Sequence, residues 1–199
     1  MLSALQLLTN LGMAPVGPGL PPGWRLQRTR HAHPPVFRVT PEHALRVEAE
    51  NAAGFASYRL AVALRPTPSG GSLTWRWRTA TPLPKAALRE RDSDDSPVRV
   101  LVMFDDKRIL FYSWGNTEER GDAFLSWTGD TRAVIVLEGT KDADGSWRQE
   151  RRDPFADYRR VFARAPPAIV AVGVSADTEM LRAQAAAEVG ELEWEANGP

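Results

Sequence analysis

The chain has 199 residues, 43% hydrophobic and 25% charged, which is the range of an ordinary globular protein rather than a disordered one. Its 25 basic and 25 acidic residues cancel, which argues against a general nucleic-acid binder that depends on a basic excess and, more weakly, against adhesion to anionic membranes. There is no cysteine, so disulfides, thiolate metal sites and cysteine nucleophiles are excluded; the only imidazoles are His31, His33 and His43, and no apolar run reaches the length of a membrane span.

The opening stretch, MLSALQLLTNLGMAPVG, reads as a short amphipathic helix or a flexible lead. A secretory signal is the rival reading, but such signals normally begin with positive charge and the first basic residue here is Arg25. PVGPGLPPG, from Pro15 to Gly23, has the composition of a linker. The expectation is a flexible or short-helical lead over residues 1–23 and one folded domain over 24–199.

Runs of period two then recur. FRV around Phe37 is followed by ALRVEAE, which places Leu45, Val47 and Ala49 on one face. SYRLAVALR aligns Tyr58, Leu60, Val62 and Leu64. LTWRWRT puts Leu73, Trp75 and Trp77 on one side and Arg76 and Arg78 on the other. The indoles could form a ligand platform, but their shared parity with Leu73 points to the core. PVRVLVMF is apolar on both parities except for Arg99, which marks a strand covered on both faces. ILFYSW and AVIVLEG follow, then AIVAVGVSAD as a second doubly covered strand, and GELEWEA near the end. About nine or ten strands are expected, separated by turn signals such as DSDDSP and KDADG. In DPFADYRRVF, Asp153 is placed to cap a helix beginning at Pro154, with Phe155, Tyr158 and Phe162 on one face. TEMLRAQAAAEVG could form a second short helix. Many short strands with few helices imply an all-β fold, an antiparallel β-sandwich of jelly-roll type with one or two short helices.

Chemical signals are sparse. There is no HExxH, no GxSxG and no phosphate-cradling glycine loop. Asp92–Asp95 (DSDD) could offer oxygen ligands to calcium or simply form a solvated turn. DADGSW has its glycine in the fourth rather than the sixth position of a calcium loop, and a hairpin turn at Asp144-Gly145 explains it better. Trp114, Trp127 and Trp147 stand beside turn residues, where an aromatic ring either plugs the packing or stacks on a sugar. Arg99 is the one charge in an apolar strand and needs a carboxylate partner; Asp94, Asp95 and Asp177 lie at the mouths of the two doubly covered strands and are expected to converge on it.

The succession LTWRWR, DDSPVRVLVMFD, FYSW, GSWRQERRDPFADYRRVF, PPAIVAVGVSADT and GELEW resembles a bacterial family catalogued as domain of unknown function 3047, from about Trp24 to Trp194. The resemblance implies a jelly-roll sandwich shaped like carbohydrate-binding modules, export for many members, and no assigned activity. Carried over residue by residue, Asp94, Asp95 and Arg99 match the family's Asp-Asp and strand arginine. Tyr112 and Trp114 match its tyrosine–tryptophan strand, and Trp147, Arg152, Asp157 and Tyr158 match the segment that follows. Asp177 and Thr178 begin an Asp-Thr-Asp-Asn-Thr run that here reads DTEML, the Asn after Arg152 is Asp153, and the glycine after Phe162 is Ala163.

The expected function is non-catalytic binding of a glycan or similar polar small molecule. Asp94, Asp95, Arg99, Trp114, Arg152 and Asp177 are the candidate contacts, with no required cofactor beyond an optional calcium ion. A carboxylate-pair hydrolase on the same sandwich and a structural or protein-interaction domain are the alternatives. Ligand identity, oligomeric state and compartment stay open; the resemblance alone suggests a periplasmic or extracellular location.

Overall fold

The computed structural model describes residues 5–29 and 32–197. His31 and the first four residues of the expected lead lie outside the described residues. The strands, numbered along the chain, are β1 (Leu5–Leu7), β2 (Gly17–Pro18), β3 (Trp24–Arg28), β4 (Val36–Val39), β5 (Leu45–Glu50), β6 (Ala53–Leu64), β7 (Gly71–Thr79) and β8 (Ser96–Phe104). They continue with β9 (Ile109–Trp114), β10 (Ala123–Leu125), β11 (Arg132–Glu138), β12 (Arg148–Arg152), β13 (Ile169–Asp177), β14 (Gln184–Val189) and β15 (Glu193–Ala196); among the described residues one α-helix, α1, spans Pro154–Phe162, and single 3-10 turns lie at Leu11–Met13 and Thr140–Asp142.

These strands form two facing sheets, an antiparallel β-sandwich of jelly-roll type. The eight-stranded sheet runs β1-β15-β7-β14-β5-β4-β2, with β12 also paired to β7; the seven-stranded sheet runs β10-β11-β9-β8-β13-β6-β3. Among the named strands, β9 and β11 make the parallel pair.

The period-two pattern of β7 sets the core. Leu73, Trp75 and Trp77 are at most 1% exposed, whereas Arg76 faces solvent. Trp75 and Trp77 pack edge to face at 5.7 Å, and each reaches across to the opposite sheet: Trp75 to Tyr112 at 5.2 Å, Trp77 to Trp114 at 5.4 Å. Four aromatic rings thus tie the two layers together. Gly71 at the start of β7 allows the last strand to close over the core, since a Cβ there would stand 2.2 Å from the Trp194 ring.

Helix α1 has the expected boundaries. The Asp153 carboxylate accepts the N–H groups of Phe155 and Ala156 at 2.9 and 3.0 Å, and Phe155, Tyr158 and Phe162 bury one face. Tyr158 packs on Phe104 at 4.5 Å and donates its hydroxyl to Asp106 at 2.5 Å. The helix ends on Ala163 at φ 52°, a left-handed position that glycine normally fills.

Three expectations are corrected. The segment read as a flexible or short-helical lead has one short 3-10 turn, at Leu11–Met13, but it is not a lead outside the domain: β1 pairs with β15 and β2 with β4 in the eight-stranded sheet, Leu11 is fully buried, and the Glu191 carboxylate accepts the N–H of Gly12 at 2.9 Å. Residues 178–190 contain no helix; a turn at 178–183 leads into β14, which pairs with β5 and β7. Alanine favours helices in isolation, but here Ala185 and Ala187 fill shallow buried positions and sheet partners satisfy the backbone. Asp144-Gly145 does not close a hairpin, because β11 and β12 belong to different sheets; it lies on a connection between the layers.

Candidate functional site

Strand β8 has two faces. Val98, Val100, Val102 and Phe104 enter the core between the sheets; Arg99, Leu101 and Met103 point to the outer face of the seven-stranded sheet. Part of that face is roofed by the connection from β7 to β8, whose Leu88 packs on Val134 and Val136. The roof thus covers β11 on its second face. Beyond the roof lies a cavity of about 340 Å³, lined by Arg99, Asp94, Asp177, Ser175, Phe111 and Trp127 among others.

Register assembles its floor. Arg99 lies opposite Ser113 on β9 and Ser175 on β13, and Asp177 ends β13 opposite Ser96. The Arg99 guanidinium comes within 3.8 Å of Asp177 and donates to the backbone carbonyl of Asp94. The carboxylates of Asp94, Asp95 and Asp177 each present an oxygen within 4.8 Å of the other two. The expected convergence of these four residues is present in the structure. Burial pushes the Asp177 carboxyl up to about 7, against the pull of Arg99 and helped by the charges of Asp95 and Asp94. Burial also raises Asp94, opposed by Arg99 and the Trp127 indole.

The three acids differ in their commitments. Asp95 is fully buried and accepts the backbone N–H groups of Leu181 and Met180 at 2.8 and 3.3 Å, pinning the turn before β14. Asp94 and Asp177 line the cavity. Three carboxylates could in principle attract a hard cation, but both Asp95 oxygens already accept N–H donors and Arg99 supplies the positive charge. The donor set suits an ion pair better than a calcium site.

Two nominated contacts lie elsewhere. Trp114 is fully buried among the inter-sheet rings and donates its indole N–H to the Gly139 carbonyl at 2.9 Å, so it has no face to offer a ligand. Its parity with Tyr112 on β9, rather than the turn that follows, decides its position. Arg152 pairs with Asp157 at 2.5 Å, and Tyr112 donates to the same carboxylate at 2.8 Å; this network joins β12, α1 and β9 and does not line the cavity.

The remaining loop tryptophans separate as well. The guanidiniums of Arg76 and Arg78 both lie over the Trp147 ring, at 4.4 and 4.3 Å, on the outside of the eight-stranded sheet. Trp127, on the loop between β10 and β11, is 40% exposed and lines the cavity, with Arg91 at 5.5 Å from its ring. Phe111, Ser175, Arg28 and Arg132 join it there without any motif to announce them. The parity of Phe111, opposite to that of Tyr112, was the available clue.

The sequence matches, over residues 22–193, the family described as Protein of unknown function (DUF3047), and the chain belongs to it. No curated protein matches. Among solved structures, the chain is similar to the family 11 carbohydrate-binding module of a Clostridium thermocellum cellulosomal cellulase, with 7% identity, 100% and 97% of the two chains covered and a TM-score of 0.47. It is also similar to winged bean acidic lectin complexed with methyl-α-D-galactose, with 10% identity, 88% and 93% covered and a TM-score of 0.48. A third is the xyloglucanase domain of the Sinorhizobium fredii effector NopAA, with 9% identity, 97% and 96% covered and a TM-score of 0.43. No helix among the described residues is long and apolar enough to cross a membrane.

Proposed function

We propose that the cavity on the outer face of the seven-stranded sheet is a non-catalytic binding site for a glycan or similar polar ligand. The carrying observation is the exposed Trp127 ring beside the Arg99–Asp94–Asp177 cluster. A planar indole packs against the C–H face of a sugar ring, and a guanidinium and carboxylates orient its hydroxyls. Arg99 takes the place of a metal, so binding is calcium-independent. A glycan array run with calcium and with chelator tests this. The expected result is one saccharide class bound equally in both and lost in Trp127→Ala; a blank array or an unaffected variant contradicts it.

One observation favours a second reading. Burial raises the Asp177 carboxyl to about 7 beside Asp94, the direction a general acid needs next to a second carboxyl. A carboxylate-pair hydrolase would release new reducing ends from the bound saccharide and lose that activity in Asp177→Asn, whereas a binding module releases none.

A further inference from the structure

Several buried polar atoms have no hydrogen-bond partner among the described residues, and four of them belong to this face: Ser113 Oγ, Arg99 Nε and Ser175 Oγ in one cross-strand row, and Asp177 Oδ1 two residues further along β13. Buried polar groups are normally satisfied, so a concentration of unsatisfied ones beside a cavity marks a network that the protein does not complete by itself. Ser175 is 5% exposed and lines the cavity. Arg99 and Asp177 stand 3.8 Å apart, beyond hydrogen-bonding range, so the pair retains donors and an acceptor to share. With Nε and Oδ1 buried, the edge of the pair that meets the cavity is its Nη and Oδ2 side.

The charge around the cavity does not select an anion. Arg28, Arg99 and Arg132 face Asp94, Glu179 and Asp177, the last only partly ionised near neutral pH, and the carboxylate of Asp95 lies buried behind them. A carboxylated or sulfated sugar would meet at least as much negative as positive charge. A hydroxyl is different, because it accepts and donates at once: it can take a proton bond from Arg99 and give one to Asp177. A second hydroxyl on the adjacent ring carbon would supply the partner that Ser175 Oγ lacks, with the ring against Trp127.

We infer that the site takes an uncharged saccharide through two adjacent ring hydroxyls, held by Arg99, Asp177 and Ser175 with Trp127 under the ring. This rests on the glycan-binding reading above and names its ligand class.

The test is titration of the full chain with neutral gluco-, manno- and galacto-oligosaccharides, with oligogalacturonate and with a sulfated galactan. The neutral series is expected to bind tightest. Asp177→Ala should weaken that binding at least tenfold. Ser175→Ala, which removes a hydroxyl without a protein partner and so preserves the fold, should weaken it severalfold. Tighter binding of the charged probes overturns the inference. So does a Ser175→Ala protein that binds as the wild type does while Trp127→Ala does not; in both cases the glycan site itself stands. Binding of none of the probes overturns the glycan reading and this inference with it.

Discussion

Arg99 in the middle of β8 stands 3.8 Å from Asp177 at the end of β13, and its side chain is nine-tenths buried. A buried guanidinium is tolerated only with compensation, and removing one partner strands the other. Arg99→Ala is therefore expected to lower stability by on the order of 3 kcal/mol. Urea denaturation measures it; an unchanged midpoint means that the guanidinium is not part of a buried pair.

The tryptophans separate into structural and exposed groups. Trp75→Ala and Trp77→Ala each open a large void between the sheets and should cost roughly 3–5 kcal/mol. Trp127 fills no core position, and Trp127→Ala should stay within about 1 kcal/mol of wild type. Equal losses at the core and loop positions would contradict this division.

Ala163 occupies the left-handed position that ends α1, at φ 52°. A Cβ in that conformation costs roughly 1–2 kcal/mol, and the resembled family pattern has glycine there. Ala163→Gly should raise the thermal midpoint, with a gain of about 1 kcal/mol after glycine's extra unfolded-state entropy is subtracted. A lowered midpoint would show that no strain is held at this residue.

Residue parity made much of the fold legible. Leu73-x-Trp75-x-Trp77 could only alternate, and pairing with Leu73 sent the indoles inward. Arg99, alone in an apolar strand, required partners, and strand ends supplied them. Asp153-Pro154 marked the helix start because capping and proline geometry are local. β14 was hidden because its alanines carry no strand preference and tertiary pairing decided the outcome. Trp114 misled because the turn after it outweighed its parity on β9. Trp127 and Trp147 have similar neighbours in sequence, and what separates them is which sheet each loop covers.

Two carboxyls give the stability a pH slope. Glu138 is pushed up to about 7, first by burial and then by its neighbour Glu150, with Arg120 opposing at 2.7 Å; Asp177 is raised to about 7 by burial. In the unfolded chain both ionise near pH 4. Each contribution is therefore fully present below about pH 4 and is lost as pH rises through about 7. The thermal midpoint should fall between pH 5 and pH 8, and the combined Glu138→Gln, Asp177→Asn protein should show a flatter profile. A profile that keeps its slope in that variant would assign the effect to other groups.

The most direct test is the affinity of the wild type and Trp127→Ala for the saccharide that an array selects, measured side by side with their thermal midpoints. Binding weakened more than tenfold at an unchanged midpoint is the predicted result. Equal affinity in the two proteins would place the ligand elsewhere and contradict the assignment of this cavity.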